Sequence, residues 1–132
     1  EKAIGVDIFD KVVNKNFVFL QTTTDLFFMK NTETFDIIFI DADHRFFSVK
    51  KDFENALKVL NKHGIIVIHD TDPMYEYLKN RGYCNDSYKM INYIETNHPE
   101  LNYVNLPISE AGLLIINRKS ENRFSAKMAI EF

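Results

Sequence analysis

Three short apolar runs in this chain end in acid: Val6-Asp7, Ile40-Asp41-Ala42-Asp43-His44 and Ile68-His69-Asp70-Thr71-Asp72. Carboxylates gathered from distant parts of a chain repel one another unless a cation, a positively charged cofactor or ligand hydroxyls compensate them. If the three runs end side by side, the acids therefore mark a binding site for a ligand of that kind. His44 and His69 add imidazoles, which titrate near neutrality and serve as proton acceptors or metal ligands. Each acid also has an ordinary structural use, because Asp caps helices and shapes the turns by which a chain leaves a sheet. His44 has the same alternative. His63 and His98, each at the end of an expected helix, are better explained by the helix dipole than by chemistry.

The elements needed to bring the acids together show in the hydrophobic pattern. Ala3-Ile4-Gly5-Val6, Phe17-Val18-Phe19-Leu20, Ile37-Ile38-Phe39-Ile40 and Ile65-Ile66-Val67-Ile68 are continuous rather than alternating, as expected of strands in a parallel sheet covered on both faces. Phe46, Val49, Phe53, Ala56, Leu57 and Leu60 recur at helical spacing, and Asn61-Lys62-His63-Gly64 then supplies a cationic last turn and a glycine stop. Strand, helix, glycine, strand is a βαβ unit with a right-handed crossover. A second helix is expected from Asp86-Ser87 to Asn97-His98-Pro99, carrying Tyr88, Ile91 and Ile94 inward. Tyr103-Val104-Asn105-Leu106 and Leu113-Leu114-Ile115-Ile116 predict a closing antiparallel hairpin. In an open parallel sheet the carboxyl ends of the strands face one crevice, so Asp7, Asp41 and Asp70 are expected at the same edge of one predominantly parallel sheet.

The 132 residues, 45% hydrophobic and 27% charged, have the length and composition of one soluble globular domain. This reading places the domain over residues 1–119 and a more polar tail over 120–132, weakly amphipathic through Phe124 and Met128. A net charge of -3 gives no electrostatic reason to bind nucleic acid or an anionic membrane. No apolar run approaches the ~20 residues of a membrane helix, and no signal peptide is apparent. The single cysteine, Cys84, has no intramolecular disulfide partner, which fits a reducing, cytoplasmic compartment. The chain opens Glu1-Lys2-Ala3 without an initiator Met, and the natural product is expected to extend upstream.

The segment Phe35-Asp36-Ile37-Ile38-Phe39-Ile40-Asp41-Ala42-Asp43-His44 is followed by the helix with Val49-Lys50 and Asp52. Leu60-Asn61-Lys62-His63-Gly64-Ile65-Ile66-Val67-Ile68-His69-Asp70 comes next. Together they resemble the core of small class I S-adenosylmethionine-dependent methyltransferases, whose fourth strand reads F-D-x-x-F-I-D-G-D-H and whose fifth ends in H-D. Asn85-Asp86-Ser87-Tyr88-Lys89 is similar to the acidic-aromatic-Lys opening of that family's next helix, and the final hairpin to its antiparallel last strand. The resemblance runs from Ala3 to Lys119. It implies an α/β, Rossmann-like fold, mainly parallel, with a C-terminal antiparallel hairpin. It also implies S-adenosylmethionine as cofactor and methyl transfer to a small-molecule acceptor through an oxygen nucleophile.

By that resemblance Asp7 accepts hydrogen bonds from both ribose hydroxyls of the cofactor, as the two oxygens of a carboxylate allow. Thr23 and Thr24 fall where the family contacts adenine, and Asp41 and Asp43 complete the cofactor side. Thr23, Thr24 and Asp25 can equally cap the helix through Leu26 and Phe27. Asp41, His44 and Asp70 are the catalytic candidates, since methyl transfer from a sulfonium requires in-line alignment and removal of the acceptor's proton. In the metal-dependent branch, acids at the positions of Asp41 and of His69-Asp70 hold magnesium, which implies Asp41, His69 and Asp70 as a metal set. His69 stands where an acid is preferred there, and nitrogen suits zinc or iron better than magnesium. The loop Thr71 to Asn85, with Pro73, Met74, Tyr75, Tyr77, Leu78 and Tyr83, is in position to cover the acceptor or simply to pack on the surface.

The family's first strand and glycine-rich turn should precede Ala3 and have no counterpart among the chain's four glycines. That strand is expected to be missing from between those ending at Asp7 and Asp41. An upstream continuation, a sheet closed up without it, or a strand from another copy would each account for it, the first being favoured. Exposed apolar edges also point to a homo-oligomer. Two other functions fit part of the pattern. One is a non-catalytic, methyltransferase-like binding or assembly module without the cofactor loop. The other is a phospho-acceptor receiver domain, for which Ile4-Gly5-Val6-Asp7 supplies only one acid of the required pair.

Overall fold

The computed structural model describes residues 2–11 and 17–120. The tail expected over 120–132, apart from Ser120, lies outside the described residues. In chain order the elements are β1 (Ala3–Asp7), β2 (Phe17–Gln21), α1 (Thr24–Lys30), β3 (Phe35–Ile40), α2 (Phe46–Val59), β4 (Leu60–His69), a 3₁₀ turn (Glu76–Lys79), α3 (Lys89–Asn97), β5 (Leu101–Leu106) and β6 (Leu113–Arg118). This is an α/β, Rossmann-like arrangement. β1 pairs in parallel with β2, and the other four strands form a sheet in the order β3-β4-β6-β5. Within that sheet β3 and β4 are parallel, while β6 runs antiparallel to both β4 and β5. The closing hairpin is thus as the sequence implies. The acids do not share one continuous sheet, however. Among the described residues β1 and β3 are not hydrogen-bonded neighbours, and the interruption falls where a strand is expected to be missing.

Pleating decides which side chains of the four-stranded sheet form the core. Ile66 and Ile68 on β4, and Leu114 and Ile116 on β6, are fully buried on one face. They pack in one cluster with Val49, Phe53 and Ala56 of α2 and Met90 and Ile94 of α3. The sequence pattern predicts strands buried on both faces, and here the structure differs. Ile37 and Phe39 are 66% and 58% exposed, because among the described residues no helix covers that side of β3, and Ile38 and Ile40 face the core from the other. No residue of β1, β2 or α1 is fully buried.

Helix α2 follows its predicted stripe but begins and ends by other means. Its first amide, Phe46 N–H, donates to Asp86 Oδ1 at 2.7 Å, across 40 positions of chain, so the N-terminal cap comes from outside the helix. At the other end Gly64 is not a C-cap. The helix stops at Leu60, which turns extended (φ -79, ψ 128) and pairs with Phe35. The guanidinium of Arg118 donates to the carbonyls of Leu57, Leu60 and Asn61 at 2.6, 3.0 and 3.1 Å. A cation therefore satisfies the carbonyls at the negative end of the helix. Gly64 sits buried within β4, where a Cβ would lie 2.9 Å from the Asp36 carbonyl oxygen. His63, also within β4 and exposed, has no helix terminus to serve.

His98, the C-cap of α3, does more than meet a dipole. Its Nε2 lies 2.7 Å from Glu54 Oε1 and its Nδ1 2.9 Å from Glu100 Oε1. Its ring stands edge-on to Phe53 and Tyr93, which clamps α3 to α2. Burial pulls the imidazole's pKa down, but hydrogen bonds to Glu100 and Glu54 outweigh it and leave the value above 6.5. A raised folded-state pKa contributes stability that is complete below the unfolded value and lost as pH rises through the folded one. Urea unfolding should accordingly show a stability advantage at about pH 6 over about pH 9 that His98→Gln removes. In the same assay Phe53→Ala should cost about 3–5 kcal/mol, since it empties the centre of the core.

Candidate functional site

The parallel register Ile40↔Ile68 places the residues that follow β3 and close β4 at one sheet edge. Asp41, His44, His69 and Asp70 meet there. His44 Nε2 lies 3.1 Å from Asp70 Oδ2 and 3.8 Å from Asp41 Oδ1. His69 Nδ1 lies 3.2 Å from Asp70 Oδ1 and 3.6 Å from Asp41 Oδ1. Asp41, His44 and Asp70 each bring one ligand atom to within 4.8 Å of the others. The four side chains open onto a cavity of about 320 Å³ whose walls also include Tyr83, Cys84 and Glu110.

Asp70 is the most constrained member. It is only 6% exposed and adopts φ 63, a left-handed conformation that costs a non-glycine residue about 1–3 kcal/mol and persists only where its surroundings dictate it. Those surroundings are specific. The one hydroxyl proton of Ser87 is shared between the Asp70 carbonyl and that of Cys84, and the Cys84 thiol donates to Asp70 Oδ1 at 3.5 Å. Beyond Asp70 the chain is bound to the β5–β6 loop. Asp72 N–H donates to Ala111 O at 2.7 Å and Met74 N–H to Glu110 O at 2.8 Å. Thr71 Oγ1 and Asn105 Oδ1 lie 3.1 Å apart. Gly112, at φ 80, permits this approach, since a Cβ there would lie 2.6 Å from the Asp72 amide nitrogen.

The tautomer of His44 follows from its partner. Nδ1 is hydrogen-bonded to the carbonyl oxygen of Tyr83, and a carbonyl can only accept, so Nδ1 carries the proton. In the neutral ring Nε2 then turns a lone pair toward two carboxylates, which are themselves acceptors. Such a constellation is satisfied by a proton or by a cation, and it is equipped to take either from a ligand. Cys84 offers no nucleophile. Burial, reinforced by the charge of Asp70, pushes its thiol up to about 11.

The other residues singled out in the sequence lie apart from this cluster. Asp43 turns back to the start of α2, where it pairs with Arg45 and accepts from Ser48 Oγ at 3.0 Å. The Arg45 guanidinium holds its carboxyl at about 2. Asp7, at the end of β1, accepts from Phe9 N–H at 2.9 Å and lies 3.2 Å from Lys11 Nζ. That amide first, and then Lys11, hold its pKa below the ordinary value. Thr23 Oγ1 accepts from Leu26 N–H at 3.3 Å as the N-cap of α1, and Thr24 hydrogen-bonds the buried carboxyl of Asp52, whose pKa burial raises. Tyr83 belongs to the loop expected to cover the acceptor or pack on the surface, and it lines the cavity; Ser87, Ser109 and Glu110 carry no such expectation from the sequence. Ser87 was read as part of a helix start, but its hydroxyl serves Asp70 and the helix begins at Lys89. The turn at Gly82 (φ 91) and Asn85 (φ 50) was the available sign that this segment bends back toward the site.

Comparison with known proteins agrees with this architecture. A Corynebacterium glutamicum protein has a TM-score of 0.63 at 14% identity, over 86% of this chain and 52% of that one. The MycE methyltransferase of the mycinamycin biosynthetic pathway, in complex with Mg and SAH, has a TM-score of 0.64 at 17% identity, over 98% and 43%. The O-methyltransferase from Bacillus cereus in complex with SAH gives 0.59 at 20%, over 79% and 51%. The chain spans about half the length of these solved structures. No curated protein sequence matches it. Residues 5–71, about half of the chain, match the family described as a methyltransferase domain, and the chain belongs to that family.

Proposed function

We propose that this chain forms part of an S-adenosylmethionine-dependent methyltransferase acting on a hydroxyl of a small molecule. The observation that carries this reading is the convergence of Asp41, His44, His69 and Asp70 on one cavity at the carboxyl edge of β3 and β4, in a chain of the methyltransferase-domain family. Related folds crystallised with SAH support the cofactor.

In the reaction the acceptor oxygen attacks the methyl carbon, the carbon–sulfur bond breaks to leave a thioether, and the hydroxyl proton passes to the protein. Asp41, His44 and Asp70 are the catalytic group. The lone pair on His44 Nε2, held in direction by the Tyr83 carbonyl, is the feature on which activation of the hydroxyl depends. Asp7, together with Thr23, Thr24, Asp41 and Asp43, is assigned to the cofactor side. Asp7 sits at the end of its strand, and its carboxylate remains exposed enough to accept from a ribose diol. Tyr83 lines the cavity, its ring packs in series with those of Tyr77 and Tyr75, and this exposed aromatic run is assigned to the acceptor.

Calorimetric titration of the full-length protein with S-adenosylmethionine and S-adenosylhomocysteine tests the reading directly, and binding of neither would refute it. Asp7→Ala should weaken cofactor binding by about 1–3 kcal/mol, the scale of hydrogen bonds lost to a charged acceptor. An unchanged affinity would remove Asp7 from the ribose site. Once an acceptor is in hand, His44→Ala should slow methyl transfer by roughly 10²–10⁴-fold with little effect on cofactor affinity.

A further inference from the structure

We infer that Asp41, His44 and Asp70 form a site for one borderline divalent transition ion of the zinc class, and that this site discriminates against magnesium. The inference rests on the methyltransferase reading for the use made of the ion: with His44 Nε2 as its ligand, the ion takes over from that lone pair the lowering of the hydroxyl's pKa, while the binding itself is a property of these residues alone.

Charge is the first argument. Among the described residues, those lining the cavity include Asp41, Asp70 and Glu110 and no lysine or arginine. Asp70 is nearly buried, so solvent does little to relieve the repulsion. The second argument is the fixed tautomer. The Nδ1 proton is committed to the Tyr83 carbonyl, so Nε2 meets Asp70 Oδ2 at 3.1 Å and Asp41 Oδ1 at 3.8 Å with acceptors on every side. An imidazole whose other nitrogen is anchored to a backbone carbonyl is the arrangement that orients a metal-binding histidine. Asp70 is oriented likewise: its Oδ1 faces the Cys84 thiol and His69, leaving Oδ2 toward His44.

The donor set then separates the candidate ions. Magnesium takes oxygen donors in a near-octahedral shell and keeps several waters, whereas an imidazole nitrogen beside carboxylates suits zinc. One of the three donors here is nitrogen, His44 Nε2, 3.1 Å from Asp70 Oδ2 and 3.8 Å from Asp41 Oδ1. The residues present therefore do not fit magnesium, although a related fold was crystallised with it. Two carboxylates and one imidazole neutralise a dipositive ion and leave its fourth position open to the cavity, the pattern of a catalytic rather than a structural site.

The test is calorimetric titration of the metal-free full chain with zinc chloride and, separately, with magnesium chloride. One zinc per chain should bind at least about a hundredfold more tightly than magnesium. His44→Ala and Asp70→Asn should each weaken zinc binding by about tenfold or more, while His63→Ala, an exposed histidine of β4, should leave it unchanged. Because Asp70→Asn touches a buried network, cobalt(II) in the wild-type chain provides a readout free of substitution. Strong visible bands of a four- or five-coordinate ion support the site, and the faint bands of an octahedral one overturn it. Equal affinity for zinc and magnesium, or an equal loss in His63→Ala and His44→Ala, also overturns it. Cofactor titration of the same protein keeps the two ideas apart. Zinc binding without cofactor binding leaves the metal site standing and refutes the methyltransferase reading, whereas cofactor binding without zinc binding does the reverse.

Discussion

The hydroxyl of Ser87 joins two carbonyls that would otherwise go their own ways, that of Asp70 at the end of β4 and that of Cys84 in the turn before α3. Much of the molecule's organisation depends on this junction. It holds Asp70 in the left-handed backbone conformation that is uncommon outside glycine, and it brings the Tyr83 carbonyl, one residue before Cys84, to where it fixes the ring of His44. The adjacent Asp86 caps α2, so the same turn also sets the start of the helix whose Val49, Phe53 and Ala56 fill the core. One short segment thus couples core packing to the direction in which a nitrogen lone pair points.

Much of this was legible in the residues. The apolar runs mark their strands, the spacing of Phe46, Val49, Phe53 and Ala56 marks α2, and the Asp-x-Asp-His and His-Asp strand ends mark the edge where four side chains meet. The parts that were not legible share a physical cause, namely that they are long-range. Nothing local in Asp86-Ser87 reveals that the carboxylate caps a different helix and the hydroxyl serves a different strand. Gly64 looked like a helix stop because glycine after a cationic turn usually is one, but Arg118 does that work from the far end of the chain. The uncovered face at Ile37 and Phe39 could not be foreseen from a run that is apolar throughout, because such a run records where burial is possible and not which elements provide it.

The two aspartates of the Asp-x-Asp-His motif illustrate how adjacent acids acquire different work. Asp41 enters the cavity beside two imidazoles, whereas Asp43 is neutralised by Arg45 and ties the loop to the first turn of α2. The second carboxylate thereby stiffens the loop that presents the first.

The interruption between the β1–β2 pair and the four-stranded sheet has a consequence for how the chain breathes. No side chain of β1, β2 or α1 is fully buried, and ties to the larger body include the exposed Lys51–Asp25 pair, of a kind that contributes little. Local opening free energies scale with buried apolar contact and with shielding of backbone hydrogen bonds. Amides of β1 and β2 should therefore exchange with solvent through a low-energy partial opening that leaves β4 and β6 protected. The half of the molecule bearing Asp7 would then be the part that a ligand orders on arrival, against a half whose acids and imidazoles are already in place.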